Sequence, residues 1–378
     1  MKVGIVCPYD IHRPGGVQQH ILDTVKELQK LGHEALIFAP GPAPEGGLES
    51  GVIHVGRHRS ISFNRTRFEI SIVTGSERKG LRELIEKENF DLLHFHTVWT
   101  PILAFQIFRR FSGVRIATFH DTPPPTFSGK MTRLLFRAIS WFLLPKFDHV
   151  LTVSEAPMWH LVSGDGKKPE ILPPCTDYTR FREPVSPMPE WQDEKLNILF
   201  LGRLEQRKGI YQMLEAYGEL QEKFTNLRLL VVGDGQEMEG VREYIRLNRL
   251  KEVELLGHVP AGDTVRLYAT CDIYCSPSLY GESFGIVLVE AMASGKPVVA
   301  AANAGYASVL VDEGARFLSP PGNARELASN LADLIDDKAL REKMSIWGSG
   351  HARKFDCVEV VPKLVEIYEA ALSSRARK

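Results

Sequence analysis

No run of this chain approaches the roughly 18 consecutive apolar residues that a helix needs to cross a bilayer. The N-terminal apolar stretch Met1–Cys7 stops at Pro8, too short for the core of a signal peptide. The expectation is a cytoplasmic protein, or one peripheral on the inner face of the cell membrane. Cysteine is sparse: five in 378 residues, an odd number scattered as Cys7, Cys175, Cys271, Cys275 and Cys357. That excludes a disulfide scaffold and suits a reducing compartment. Cys271 and Cys275 mimic a metal pair, but no second Cys or His pair at zinc spacing follows, so they read as buried thiols. Charge of one sign is missing too, with 46 basic against 47 acidic residues, which argues against a globally basic nucleic-acid binder. No internal repeat or coiled-coil heptad stands out.

What is present is alternation. Short Val/Ile/Leu-rich runs at 3–7, 35–38, 92–95 and 115–119 alternate with helical periodicity at 18–29 and 77–87. A Pro-rich polar stretch, Glu183–Glu190, interrupts the pattern. It restarts with runs at 196–201, 228–232, 253–255, 273–276 and 297–301, and helices at 210–223 and 237–247. The length is too great for one ordinary core. Alternation of this kind gives parallel sheets covered by helices on both faces, so the fold class is α/β with two doubly wound, Rossmann-like domains. Ligands in such sheets bind beyond the carboxyl ends of the strands, where the loops 9–16, 202–209 and 281–284 emerge, and the expected site is the cleft between the halves.

The most informative segment is Gly281-Glu282-Ser283-Phe284-Gly285-Ile286, continuing through Glu290 to Gly295. A loop carrying one carboxylate feeds a short apolar helix carrying another, which Gly295 can end. Backbone N–H groups around Phe284 to Ile286 would favour a phosphate or diphosphate, and the glutamates could accept from sugar or ribose hydroxyls. For two glutamates eight positions apart, a buried helix with incidental surface acids is an equal reading. Gly15-Gly16 lets the backbone approach a ligand at the next helix start, although such a pair is more often a plain turn. Arg203 and Lys208 flank a turn where two cations could neutralise a diphosphate; without context they would be a solvated pair. His94 and His96 share one strand face and superficially suggest a metal, but no third ligand is apparent.

Four ordered segments together carry a resemblance: Cys7-Pro8-Tyr9 with Pro14 to His20, Ala117-Thr118-Phe119-His120, Phe200 to Gly209, and Gly281 to Gly295. They resemble the retaining GT-B glycosyltransferases of family 4, in particular the bacterial phosphatidylinositol mannosyltransferases. The resemblance implies an acceptor-binding domain of residues 1–182 plus a returning C-terminal helix 355–378, a linker 183–194, and a nucleotide-sugar-binding domain 195–354. It implies that Gly16 approaches the donor's β-phosphate, that Tyr9, Gln18 and Asp121 face the acceptor, and that His120 lies beside the transferred sugar. Arg203 and Lys208 would stabilise the departing nucleoside diphosphate, Glu282 would hold the donor sugar, and Glu290 the ribose. Gly233, Val259 and Ser283 to Ile286 complete the donor contacts. The expected activity is metal-independent, retaining transfer of a hexose of mannose or glucose type from a GDP- or UDP-hexose, without cofactor, to a lipid headgroup hydroxyl. A soluble polysaccharide or lipopolysaccharide acceptor is the alternative; a nucleotide-sugar epimerase or a non-catalytic binder is further off. Leu172-Pro173-Pro174-Cys175-Thr176-Asp177 departs from the family's usual Pro-Asn-Gly-Val-Asp.

Lys130, Arg133 and Arg137 fall along one side of a helical pattern that includes Leu134, Leu135, Ile139 and Phe142, with Trp141 nearby. With the basic loop Arg57, Arg59, Arg65 and Arg67 and the helix end Arg78, Lys79 and Arg82, they could dock an anionic membrane. The helix pattern alone favours a core helix with a solvated face.

Overall fold

The computed structural model describes every residue except 14, 42–50, 64–65, 99–101, 124–126, 184 and 378. The chain forms two compact units, Met1–Cys175 with Cys357–Lys378, and Thr176–Asp356.

The first unit holds a parallel sheet of seven strands, β1 (Lys2–Val6), β2 (Glu34–Ala39), β3 (Val52–His54), β6 (Leu92–His96), β7 (Val114–Phe119), β8 (His149–Thr152) and β9 (Glu170–Ile171). Between β3 and β6 stands an antiparallel hairpin of β4 (Arg57–Phe63) and β5 (Thr66–Ile72). The sheet order is β3-β2-β1-β6-β7-β8-β9, so the winding reverses between β1 and β6. Strand β1 is fully buried over Val3, Ile5 and Val6, as a central parallel strand covered on both faces must be. Gly4 admits its neighbour: a Cβ there would come within 2.3 Å of Leu93 Cδ2. The helix Gly16–Lys30 buries Ile21, Val25 and Leu28 at helical spacing. It ends in a Schellman turn, with the N–H groups of Gly32 and His33 donating to the Gln29 and Leu28 carbonyls. Against it packs the C-terminal helix Cys357–Ala376, which buries Val360, Val361, Leu364 and Tyr368 in the same core.

The second unit repeats the plan with six parallel strands, β10 (Leu196–Leu201), β11 (Leu227–Val232), β12 (Val253–Gly257), β13 (Ile273–Ser276), β14 (Val298–Ala301) and β15 (Leu318–Ser319). Their order is β12-β11-β10-β13-β14-β15, with the reversal between β10 and β13.

Three expectations change. The divide falls at Cys175/Thr176 rather than after 182, because the short helix Tyr178–Arg182 is anchored in the second unit. There the Tyr178 hydroxyl bonds Ser349 Oγ at 2.9 Å and the Phe181 ring meets Tyr268 edge-on at 5.9 Å. The segment around Arg57 and Arg67 is the β4–β5 hairpin, not a loop; Arg65 lies outside the described residues. The helix Phe127–Leu143 is not a core helix with a solvated polar face: Met131, Leu134, Leu135, Trp141 and Phe142 are all about half or more exposed, at 54%, 61%, 58%, 48% and 65%. Among the described residues, no helix is long and apolar enough to cross a membrane.

Candidate functional site

In open α/β sheets the crevice for a ligand opens where the strand order reverses. In the second unit this joins the loop after β10, Gly202–Gly209, to the loop after β13, Pro277–Gly285. The two are tied through their backbones, with the Leu279 N–H donating to the Arg207 carbonyl at 2.7 Å. Gly209 sits at φ 75°, and a Cβ there would come within 2.1 Å of the Pro277 carbonyl oxygen, so the contact requires glycine.

On this frame lies a chain of alternating charges. Arg203 Nη1 pairs with Glu205 Oε1 at 2.8 Å, and Arg207 Nε with Glu205 Oε2 at 2.7 Å. Glu282 Oε1 then accepts from both Arg207 Nη1, at 3.4 Å, and Lys208 Nζ, at 2.7 Å. Three cations against two carboxylates leave an excess positive charge in a half-buried setting, where Coulomb forces exceed those in bulk water. Burial pushes the Glu282 carboxyl upward, but the charges of Lys208 and Arg207 outweigh it and hold the group below its usual range. Burial lowers Lys208, reinforced by Arg207 and Arg203, by more than Glu282 restores. Arg203 is the most open of the three, its side chain 54% exposed.

The helix after this loop begins at Ile286, with Gly285 at φ 116° as its cap. Gly295 takes the C′ position expected of it, its N–H donating to the Met292 carbonyl and that of Lys296 to Ala291. Ser283 lies in the half-buried loop, while the Phe284 ring packs edge-on against Phe355 at 5.2 Å, leaving its backbone as its polar offering. Glu290 is buried one turn into the helix and its Oε2 accepts from the Tyr268 hydroxyl at 3.0 Å. Gly233, at φ 129° after β11, passes so near the Gly202 carbonyl oxygen that a Cβ would lie 2.0 Å from it. Val259 follows β12, half-buried.

Several residues missed in the sequence brace this loop. Tyr306 Oη bonds Ser276 Oγ at 2.8 Å and Ser278 Oγ at 3.1 Å, and Ser278 in turn hydrogen-bonds Glu282. Asn303 Nδ2 donates to the Ser278 carbonyl at 2.9 Å. Gly305 lies against the Glu282–Phe284 backbone, where a Cβ would come within 2.4 Å of the Glu282 carbonyl oxygen. Glu205 and Arg207 were legible, flanking positions already singled out. Tyr306 and Asn303 carried no motif.

In the first unit the reversal brings the ends of β1 and β6 together. Tyr9 follows β1, half-buried, its carbonyl accepting from Cys7 Sγ at 3.3 Å. Gly16 opens the next helix, exposed, and Gln18 Nε2 donates back to the Asp10 carbonyl at 3.4 Å. Asp121 is half-buried beyond His120. His120 belongs to a cluster of imidazoles, its Nε2 hydrogen-bonded to His96 Nδ1 at 2.8 Å. His94 is fixed by Thr118 Oγ1 and the Tyr368 hydroxyl, each at 2.7 Å. Burial pushes His94 down to about 3, and His96 and His120 well below the ordinary range. These rings are neutral hydrogen-bond partners at pH 7. Of the three cations on the helix Phe127–Leu143, Lys130 is exposed, but Arg133 stacks on the Trp159 ring at 3.8 Å and Arg137 donates to the Trp159 carbonyl at 3.0 Å. The outward face between them is apolar.

The chain matches the family models described as Glycosyltransferase Family 4 over residues 14–180 and Glycosyl transferases group 1 over residues 182–348. It is 30% identical to a phosphatidyl-myo-inositol mannosyltransferase of Mycobacterium leprae, covering 100% of this chain and 99% of the relative. With that of Mycolicibacterium smegmatis it shares 32%, covering 98% and 94%. Among solved structures, sucrose-phosphate synthase from Thermosynechococcus elongatus superposes with a TM-score of 0.77 at 19% identity, over 99% of both chains. Anabaena HepE in complex with UDP gives 0.74 at 20%, over 98% of this chain and 100% of that one. Those neighbours share the two-sheet architecture, and the full-length relatives share the sequence: the chain belongs to the GT-B glycosyltransferases of family 4.

Proposed function

We propose that this glycosyltransferase moves a hexose, with retention and without a metal, from a nucleoside diphosphate sugar to a hydroxyl of a lipid headgroup at a membrane surface. The observation that carries the donor half is the alternating charge chain Arg203–Glu205–Arg207–Glu282–Lys208 beyond β10 and β13. An incoming diphosphate takes Arg203 and Lys208 as partners, with Arg203 forking onto two oxygens and Lys208 acting as a point charge. The amides at the start of the helix from Ile286, with Gly16, Gly233 and Val259, add backbone contacts. Glu290, one oxygen held by Tyr268, accepts from the ribose, and Glu282 from the sugar. As the glycosidic bond lengthens, negative charge grows on the leaving diphosphate, where these cations already stand. The acceptor hydroxyl attacks the same face within the ion pair, and the diphosphate helps take its proton. Neutral His120, steadied by His96, positions the sugar, while Tyr9, Gln18 and Asp121 serve the acceptor.

The mannosyltransferase relatives and the UDP-bound neighbour favour a GDP- or UDP-hexose donor. For a lipid acceptor the support is the exposed apolar face of the helix Phe127–Leu143, which immersion in an interface would bury; Lys130 at its edge favours anionic lipid. The test is a donor screen, recording free nucleotide from GDP- and UDP-hexoses with and without phosphatidylinositol-containing vesicles, alongside a Leu134→Ser/Leu135→Ser variant. Release from one donor that rises with vesicles, and loses that rise in the variant, supports the reading. Release indifferent to vesicles and to the variant points to a soluble acceptor; nucleotide binding without release under any acceptor overturns the transferase assignment.

A further inference from the structure

The chain crosses between its two units twice, after Cys175 and before Cys357, and each crossing carries a cysteine on the first-unit side. The crossings run side by side: Thr176 and Asp356 form a parallel bridge, and the Thr176 N–H donates to the Phe355 carbonyl at 2.9 Å. The two thiols meet within one core cluster and hydrogen-bond each other, both buried and neither in a disulfide. Cys175 is further surrounded by polar groups, with Thr24 Oγ1 at 3.3 Å from its sulfur and its own N–H donating to His20 Nδ1 at 3.1 Å. Cys357 is the first residue of the 20-residue C-terminal helix, where unpaired amides and the helix dipole favour a thiolate.

We propose that Cys175 and Cys357 are a peroxide-sensitive dithiol that closes to an intramolecular disulfide. The Cys175 thiolate attacks one oxygen of a hydroperoxide, breaking the O–O bond and forming a sulfenic acid as the peroxide leaves as water or an alcohol. Cys357 then attacks that sulfur, and the sulfenic oxygen departs as water with the Cys357 proton. The two thiols lose two electrons and the peroxide gains them. Burial pushes the Cys175 thiol up, but its interactions with Cys357, His20 and Thr24 outweigh that and hold it below the usual thiol value. The second unit supplies an internal contrast: burial, joined by the Asp272 charge and only partly opposed by Lys296, drives Cys271 up to about 12, and burial drives Cys275 upward as well, so those thiols stay protonated and unreactive. The bond turns residues 176–356 into a covalently closed loop anchored on the first unit, a constraint on the unfolded chain.

The experiment treats the full-length reduced protein with hydrogen peroxide, blocks remaining thiols with N-ethylmaleimide after unfolding, and maps non-reduced peptides by mass spectrometry. The expected result is a peptide joining Cys175 to Cys357, reversed by dithiothreitol, with Cys271 and Cys275 fully alkylated and a higher melting temperature for the oxidised form. In Cys357→Ser, whose folding is checked by its melt, a dimedone probe should trap Cys175 as sulfenic acid instead. Cys175 and Cys357 remaining as alkylatable as Cys271 and Cys275 overturns the proposal, as does a cross-link between any other pair.

Discussion

Replacing Glu282 by glutamine keeps the shape of the loop and removes the charge that Lys208 and Arg207 share. At the 2.7 Å separation of Glu282 Oε1 and Lys208 Nζ, an effective dielectric of about 20 gives a gross attraction of about 6 kcal/mol. Desolvation of the carboxylate offsets much of this. Removing one partner of a fully buried pair costs about 3–5 kcal/mol; here the side chains keep 14% and 19% of their exposure, so about 2–3 kcal/mol is expected. For a unit of this size that lowers Tm by roughly 5–10 °C. The complementary change, Lys208→Met, should cost less, because Glu282 keeps Arg207 at 3.4 Å whereas glutamine at 282 leaves two neighbouring cations without their shared carboxylate. Thermal melts of both single variants and the double variant give the coupling energy directly. Variants that remain folded should also lose transfer by about 10²–10³-fold, the scale of a missing charge-stabilising group. Equal or reversed costs for the two single variants, or strictly additive ones, would refute the shared-carboxylate argument.

Acid should loosen the first unit before the ordinary carboxylate range. His94 and His96 titrate below the normal imidazole value when folded, so below pH 6.5 the unfolded chain takes up protons that the fold refuses; stability falls with pH by about 1.4 kcal/mol per histidine per unit until the folded values are reached. Urea midpoints followed by tryptophan fluorescence should decline between pH 7 and 5, and a flat profile would contradict the buried neutral rings. Gly233→Ala should cost about 1–3 kcal/mol in backbone strain alone, and more from the Gly202 contact, with donor binding lost. Gly262→Ala, where a Cβ meets nothing within 4 Å, should stay within about 0.5 kcal/mol of the parent in the same melt.

The strands came through clearly because parallel strands buried on both faces are written as near-continuous apolar runs, as in Leu227–Val232 and Leu196–Leu201, each interrupted once, by Arg228 and by Asn197. Helix ends were equally plain where glycine must turn left-handed, as at Gly295. The β4–β5 hairpin was read as a loop although Ser60-Ile61-Ser62-Phe63 alternates with period two, because its arginines drew attention to charge rather than spacing. The helix Phe127–Leu143 shows the converse difficulty. Periodicity reveals that a helix has an apolar stripe but not which way the stripe faces, and here it faces outward because Arg133 and Arg137 turn onto the Trp159 segment.

The sequence by itself determined the two doubly wound halves and marked the glycine- and charge-bearing loops beyond their strands, since these follow from short-range patterns of apolar runs, glycines and paired charges, and its four ordered motifs carried the resemblance to the family. Only the tertiary structure decided the partners. Glu282 shares one oxygen between Arg207 and Lys208, Tyr306 reaches back to Ser276 and Ser278, and Cys175 meets Cys357 across 181 intervening residues. Such contacts depend on where strand order reverses and where the chain returns, and a linear pattern holds no record of either.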